Sequence, residues 1–240
     1  MSPFSCRDLR VPLPGSHLAA RLFQPDGSPR ALAVISHGLE SSMASQKLSN
    51  LAHALTLFGC YTLQFDHLGC GDSPGEARRT TLSRRRDEFL AATAALCQEA
   101  PAGLPLVYLG SSLGGTTALL AAALEPPLCT VHWSAPWDFA SLVRKLALQP
   151  QQPILPDFAA DLPHHDLPGL LAATRGMFLV HGERDELVEV AQARYAYGLA
   201  PRPKGLVVLP GADHRLSDPA DQNTALAHTL AWIESRLQEA

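Results

Sequence analysis

The chain has 240 residues, a formal net charge of −4, 46% hydrophobic residues and 18% charged residues. This composition is typical of a globular protein and excludes a disordered or collagen-like chain. The slightly acidic balance lacks the basic footprint that binds a phosphate backbone, so nucleic acid is not an expected partner. A single domain over residues 1–240 is the simplest division, since a chain of this length buries a large core.

The N-terminal stretch from Met1 to Leu13 has no continuous apolar run and carries Arg7, Asp8 and Arg10. It is typical of neither a secretory signal nor a membrane anchor, so a cytoplasmic protein without membrane attachment is expected. The five cysteines are scattered and lack the paired short spacings of zinc or redox sites. Free thiols and no bound metal are therefore predicted.

The first segments predict a hairpin, because the runs 7–11 and 17–23 are joined by Pro12, Pro14 and Gly15. Further along, short apolar runs bounded by turn residues alternate with longer amphipathic segments. This alternation is typical of a mostly parallel sheet covered by helices on both faces. The predicted parallel strands are Ala31 to Ser36, Cys60 to Phe65, Leu106 to Gly110, Leu128 to Ser134, Met177 to His181 and Gly205 to Leu209. The predicted helices are Ala44 to Phe58, Leu82 to Gln98, Leu113 to Leu124, Val188 to Gly198 and Pro219 to Leu237.

The strongest local signal for chemistry is the motif Gly110-Ser111-Ser112-Leu113-Gly114, which lies between an apolar run and an alanine-rich helix. A serine on a sharp turn between strand and helix has an exposed hydroxyl, and the flanking glycines leave room for the turn. The following helix directs N–H groups and a positive dipole end at an oxyanion formed there. Ser112 is therefore a candidate nucleophile.

A serine hydroxyl is a weak nucleophile, so it needs a base, and the base needs an orienting group. Asp185 follows the predicted strand Met177 to His181, and His214 follows the strand Gly205 to Leu209. Reacting groups gather at the carboxyl ends of strands in open α/β sheets. Serine, acid and histidine in that order match one hydrolase architecture, so the sequence predicts a set of Ser112, Asp185 and His214.

Four motifs together resemble the α/β-hydrolase superfamily. They are His37-Gly38-Leu39-Glu40 after the first parallel strand, Asp66 to Ser73 after the second, the Ser112 turn, and the loops of Asp185 and His214. Within the superfamily the chain resembles small esterases and serine aminopeptidase-like hydrolases of the S33 type. The resemblance implies an α/β-hydrolase fold, a mostly parallel sheet flanked by helices, with the N-terminal antiparallel hairpin at its edge.

The resemblance also implies roles for particular residues. Ser112 would be the nucleophile, His214 the base and Asp185 the acid, with the backbone N–H groups of Leu39 and Leu113 forming the oxyanion hole. The expected reaction is hydrolysis of a small-molecule ester through an acyl-enzyme, without a cofactor. Asp138, which follows another predicted strand, stays open as an alternative acid.

The proline-rich segment from about Trp137 to Thr174 is the usual place of a cap over the active site in relatives of this type. A short cap is expected to leave an open pocket for small or medium acyl or aryl esters, with Leu142, Leu146 and Phe158 as candidate substrate contacts. Two other functions remain open: an amide or peptide hydrolase, and a binding protein on the same fold without turnover.

Two charged features have no assigned chemistry. Glu40 and the basic cluster Arg78, Arg79 and Arg84–Arg86 are both expected to face solvent, the cluster with a secondary possibility of attracting acidic substrates. His164-His165 is predicted not to bind metal, for want of an acidic or cysteine partner at ligand spacing. Nucleotide chemistry is not expected either, because no Gly-x-Gly-x-x-Gly follows the first parallel strand and no phosphate loop is present.

Overall fold

The computed structural model describes residues 4–140 and 156–240. The chain begins with the predicted hairpin, in which strand β1 (Phe4–Leu13) pairs antiparallel with β2 (Ser16–Pro25) along its whole length. Both strands are longer than the runs 7–11 and 17–23, because the pairing continues to the tight turn at Leu13 and Ser16 and outward to Phe4 and Pro25. β1 forms the edge of the sheet, and most of its residues are exposed.

Six strands follow and are all parallel to one another, with bounds within one residue of the prediction. They are β3 (Ala31–Ser36), β4 (Cys60–Phe65), β5 (Leu106–Ser111), β6 (Cys129–Trp133), β7 (Met177–Gly182) and β8 (Lys204–Leu209). β3, β4, β6 and β7 are buried at every residue because helices cover both faces. The predicted fold class, an α/β-hydrolase sheet with an antiparallel N-terminal hairpin, is confirmed.

Helices cover the two faces of the sheet, and the predicted helices match within two residues at each end. One face packs against α1 (Gln46–Leu57) and a C-terminal helix, α7 (Pro219–Leu237). The other face packs against α2 (Leu82–Glu99), α3 (Leu113–Ala122) and α6 (Val190–Leu199). Alternate residues of β3 serve the two cores: Ala31, Ala33 and Ile35 on one side, Leu32 and Val34 on the other.

The strand order β1-β2-β4-β3-β5-β6-β7-β8 determines where the loops meet. β3 lies between β4 and β5 in the sheet. The connection from β3 to β4 and the connection from β4 to β5 therefore run in opposite directions across the sheet. The crevice at the carboxyl ends of these strands is the place where open α/β sheets bind ligands. The loops after β3, β5, β7 and β8 carry the predicted site residues. All four loops lie at the carboxyl ends of the parallel strands.

Part of the predicted cap segment is described. It contains α4 (Pro156–Asp161), a short 3₁₀ turn (Leu162–His164) and α5 (Leu167–Ala173), which Asp166 caps by accepting a hydrogen bond from the Gly169 N–H at 3.0 Å. The candidate contacts Leu142 and Leu146 lie outside the described residues. A single domain with a cap over about 137–174 stays a prediction.

Among the helices within residues 4–140 and 156–240, none is long and apolar enough to cross a bilayer.

Candidate active site

Ser112 lies on a strained turn between β5 and α3. Its backbone has φ 54° and ψ −129°, a region that residues with a side chain rarely adopt. Its N–H donates to the Trp133 carbonyl at 2.7 Å, which fixes the turn against β6. A Cβ on Gly110 would lie 2.1 Å from the Gly114 oxygen, so the motif needs glycine there for space. Ser112 itself is half-exposed.

The structure brings Ser112, His214 and Asp185 together across long stretches of chain. Nε2 of His214 lies 3.1 Å from Oγ of Ser112, and Nδ1 of His214 lies 2.8 and 2.9 Å from the two carboxylate oxygens of Asp185. His214 and Asp185 are both buried. This is the geometry in which an imidazole accepts a serine proton while a carboxylate holds its other nitrogen.

The carboxylate of Asp185 is held by several donors besides His214. The N–H groups of Leu187 and Val188 donate to it at 3.0 and 2.7 Å, and Nε2 of His181 lies 3.1 Å away. Burial raises the pKa of Asp185, but the hydrogen bonds from His181 and His214 outweigh it and hold the pKa well below its usual range. Asp185 is therefore an anion with a fixed orientation at neutral pH.

The other candidate acids have different partners. The Asp138 carboxylate accepts a hydrogen bond from the Ala140 N–H at 2.9 Å and is not the group that faces His214. Asp213, the sequence neighbour of His214, binds the backbone and hydroxyl of Ser217. The contact between His181 and Asp185 was not predicted from the sequence, although their i, i+4 spacing across the tight loop after β7 was a signal for it.

The two predicted oxyanion donors lie on either side of Ser112. Among the described residues, the N–H groups of Leu39 and Leu113 have no protein acceptor. Gly38 lies against the nucleophile, since a Cβ on it would be 3.1 Å from the Ser112 Cβ. Unsatisfied N–H groups beside a serine can hold a negative oxygen. The exposed Glu40 follows directly with φ 53°.

A buried polar network supports the loop after β3. His37 Nδ1 donates to the Gly38 carbonyl at 2.7 Å, and its Nε2 accepts the His67 N–H at 3.0 Å. His67 in turn contacts Glu88 at 2.6 Å and Ser36 at 2.8 Å. Burial holds the pKa of His37 and that of His67 well below the usual range. Both rings are neutral and act as structural hydrogen-bonding groups.

The expectation that the arginine cluster faces solvent is wrong for Arg85, which is fully buried. Its Nη2 donates to the His37 carbonyl, and its Nε donates to Thr117 Oγ1 at 3.2 Å. Arg78 and Arg86 form ion pairs at the surface as expected. The signal that could have found this is spacing: Arg85 falls at helical intervals with the buried residues Leu82 and Phe89 of α2.

A cavity of about 610 Å³ lies between α6 and the described part of the cap segment. Its apolar wall includes Trp137, Phe139, Leu162 and Leu167. Phe158 was expected to line such a pocket, but it is not among the described lining residues; it is buried and packs edge-to-face on Phe139, with ring centroids 5.6 Å apart.

The cavity is separate from the serine but joined to it by apolar packing. Neither Ser112 nor His214 is among the lining residues in the described ranges. The side chains of Leu39 and Leu113 belong to the same hydrophobic cluster as Trp137, Phe139 and Leu167. Leu39 and Leu113 therefore pack against the same buried apolar cluster that forms part of the cavity wall.

One of the two histidines of the cap segment differs from the expectation. His165 does have an acidic partner: its Nε2 lies 3.0 Å from Asp161, which also accepts hydrogen bonds from the backbone and hydroxyl of Ser83. Asp161 and His165 are four residues apart, so one helix-like turn brings their side chains together. The hydrogen bonds from Ser83 to Asp161 join the cap segment to α2. Within the described residues no cluster of three or more histidine, cysteine, aspartate or glutamate side chains could hold a metal.

A serine on the strand-to-helix turn of an eight-stranded, mostly parallel sheet, with a histidine and an acid on later loops, defines the α/β-hydrolase class. Comparison with known proteins agrees with this class. The chain belongs to the hydrolase family described as serine aminopeptidase, S33, whose model matches residues 27–169.

Among curated relatives, the chain is 34% identical over 115 residues to a monoglyceride lipase from Homo sapiens, a match that covers 47% of this chain and 36% of the lipase. It therefore spans well under half the length of that relative. Among solved structures it is similar to an esterase domain from a Rhodothermus marinus protein, with a TM-score of 0.74 and 26% identity over 95% of this chain and 97% of that one. It shares its fold with Est1E from Butyrivibrio proteoclasticus, solved with ferulic acid bound, with a TM-score of 0.81 and 19% identity over 94% and 99% of the two chains.

Proposed function

We propose that this hydrolase cleaves small or medium carboxylic esters through an acyl-enzyme, with Ser112 as nucleophile, His214 as general base and Asp185 as its orienting acid. One observation carries the proposal: an unbroken series of hydrogen bonds runs from the Ser112 hydroxyl through both nitrogens of His214 to the buried Asp185 carboxylate. A half-exposed serine at the end of such a series can meet a substrate carbonyl.

The reaction follows from these positions. His214 Nε2 takes the proton as Ser112 Oγ attacks the ester carbonyl, and the Nδ1–H of the resulting imidazolium stays hydrogen-bonded to the ionised Asp185 carboxylate. His214 then protonates the departing alcohol, which leaves the acyl group on Ser112. Water attacks the acyl-enzyme with His214 again as base, and this releases the acid and restores the serine. The permanent charge on Asp185 stabilises the imidazolium in both halves.

The N–H groups of Leu39 and Leu113 would hold the oxyanion of each tetrahedral intermediate. Both lack an acceptor within the described part of the protein, and Leu113 is the first residue of α3. Loss of one such donor costs about 10²–10³ in kcat in hydrolases of this chemistry. Each donor is therefore expected to lower the barrier by about 2.7–4 kcal/mol.

An ester is the favoured substrate class because an alkoxide or phenoxide leaves more readily than an amine. The relatives agree with this direction, since a monoglyceride lipase and an esterase domain are among them. The cavity lined by Trp137 and Phe139 supports an acyl or aryl group as part of the substrate, and Leu39 and Leu113 pack in the same apolar cluster as its wall. The family's description as serine aminopeptidases makes amide hydrolysis the second candidate.

The first test compares the wild-type protein with Ser112→Ala. We expect a fluorophosphonate to label the wild type and not the variant, and p-nitrophenyl esters with two to eight acyl carbons to be turned over only by the wild type. An aminoacyl p-nitroanilide measured at the same enzyme concentration separates the two substrate classes. Absence of labelling in a wild-type protein with a cooperative unfolding transition would contradict the assignment of Ser112.

A further inference from the structure

The proposed reaction leaves Arg85 without a role, although its position is unusual. Its side chain is fully buried in α2. On the same helix, the Asp87 carboxylate pairs with Arg86. The Glu88 carboxylate contacts Arg84 and the neutral His67 ring instead. A buried cation without a paired carboxylate is costly and persists where its hydrogen bonds hold something in place.

The hydrogen bonds of Arg85 join two separate elements. Nη2 donates to the carbonyl of His37, in the loop after β3. Nε donates to Thr117 Oγ1 at 3.2 Å, and that hydroxyl donates to the Leu113 carbonyl at 2.9 Å, in the first turn of α3. Nη1 has no acceptor among the described residues. One side chain therefore bridges the loop of the first oxyanion donor and the helix of the second.

The backbone geometry shows what this bridge holds. The His37 ring holds the Gly38 carbonyl at 2.7 Å, and in a planar trans peptide the next N–H, that of Leu39, points the opposite way. Arg85 fixes the preceding peptide through the His37 carbonyl. The same carbonyl lies against α3, since a Cβ on Gly114 would be 2.7 Å from it. The loop and the helix meet where Arg85 holds them.

We propose that Arg85 is a positioning residue of the oxyanion hole: it fixes the spacing of the Leu39 and Leu113 N–H groups and places a buried positive charge behind the developing oxyanion. This inference rests on the proposed function of the same site. Preorganised donors and fixed charges in a buried site act on the transition state more than on the ground state. Arg85 therefore influences the chemical step rather than substrate binding.

The test uses Arg85→Met and Arg85→Lys, with Arg86→Met as the matched surface control. The readouts are kcat and KM for p-nitrophenyl butyrate, the inhibition constant of an alkylboronic acid, which forms an anionic serine adduct, and the midpoint of thermal unfolding. For Arg85→Met we expect kcat to fall about 10-fold to 100-fold with KM within twofold, and boronate affinity to fall by a similar factor. Arg85→Lys should give an intermediate kcat and boronate affinity. Lysine keeps the positive charge but lacks the guanidinium group that donates to both His37 and Thr117.

Two further measurements separate positioning from a general structural effect. The midpoint of the pH profile of kcat/KM should not move in Arg85→Met, because the proposed base His214 and acid Asp185 are unchanged in this variant. Thr117→Val breaks only the link to α3 and should lower kcat a few-fold; it decides the matter if Arg85→Met fails to fold. A wild-type kcat and a wild-type boronate affinity in a folded Arg85 variant, or in Thr117→Val, would overturn this inference and leave the proposed function intact. A wild-type protein that neither labels nor hydrolyses esters would overturn the proposed function as well.

Discussion

Gly114→Ala tests how tightly the turn after β5 is built. A Cβ at this position would lie 2.1 Å from the Ser36 oxygen and 2.7 Å from the His37 oxygen, both backbone atoms, whereas real Cβ contacts stay beyond about 3.0 Å. The first turn of α3 must therefore move by about 1 Å relative to the loop after β3. That displacement changes the spacing between Ser112, Leu113 and Leu39.

We expect two consequences of this displacement. The free energy of unfolding should fall by about 1–3 kcal/mol, the usual cost of overpacking a filled site. Activity should fall further, because a 1 Å misplacement of reacting groups costs about 100-fold. The assays are urea denaturation and kcat for p-nitrophenyl butyrate.

The matched control is Gly198→Ala. Gly198 is an exposed residue of α6 with nothing within 4 Å of the added carbon. It should keep wild-type kcat and gain up to about 1 kcal/mol of stability, because alanine is the better helix former. Wild-type activity and stability in Gly114→Ala would refute the reasoning that the loop after β3 and α3 are in fixed contact.

Two more predictions follow from buried ionisable groups. Asp185→Asn should lower kcat about 10³–10⁴-fold without unfolding the protein, because the amide oxygen still accepts from the loop N–H groups while His214 loses its charged partner; Asp213→Asn, measured beside it, should lose less than about threefold. A near-normal kcat in Asp185→Asn would assign the acid elsewhere. Stability should also fall as pH drops below about 6.5, because His37, His67 and His132 have pKa values below that of an unfolded histidine, so the unfolded state binds more protons in this range. Burial lowers the pKa of His132 to about 4, which alone corresponds to about 3 kcal/mol lost between pH 6.5 and pH 4; equal urea midpoints at pH 7.5 and pH 4.5 would contradict this.

Most of the architecture could be predicted from local patterns. The apolar runs that became β3 to β8 are each short and bounded by turn residues, and β3, β4, β6 and β7 are buried at every residue, so their signal did not depend on the choice of partner strand. The turn at Ser112 could be predicted for the same reason: the glycines, the preceding strand and the following helix are all neighbours in sequence. The loops that hold Asp185 and His214 followed from the ends of β7 and β8.

Contacts between distant residues needed the tertiary structure. Asp185 and Asp138 both follow predicted strands, and only the packing of the loops after β7 and β8 shows that the Asp185 carboxylate is the one that contacts His214. Phe158 was predicted to contact substrate because it is apolar and lies in the cap segment. In the structure it is buried and packs edge-to-face on Phe139, and its contact with substrate stays a prediction.

The sequence by itself determined the class of chemistry, because a strained serine turn, an acid and a histidine are specified by local spacing and chain order. Only the tertiary structure decided which side chains support that chemistry. Arg85 reads as part of a charged surface run, yet its position on the inner face of α2 buries it against His37 and Thr117. Charge predicts exposure only on average, and the direction in which one helical residue points depends on what the rest of the chain places beside it.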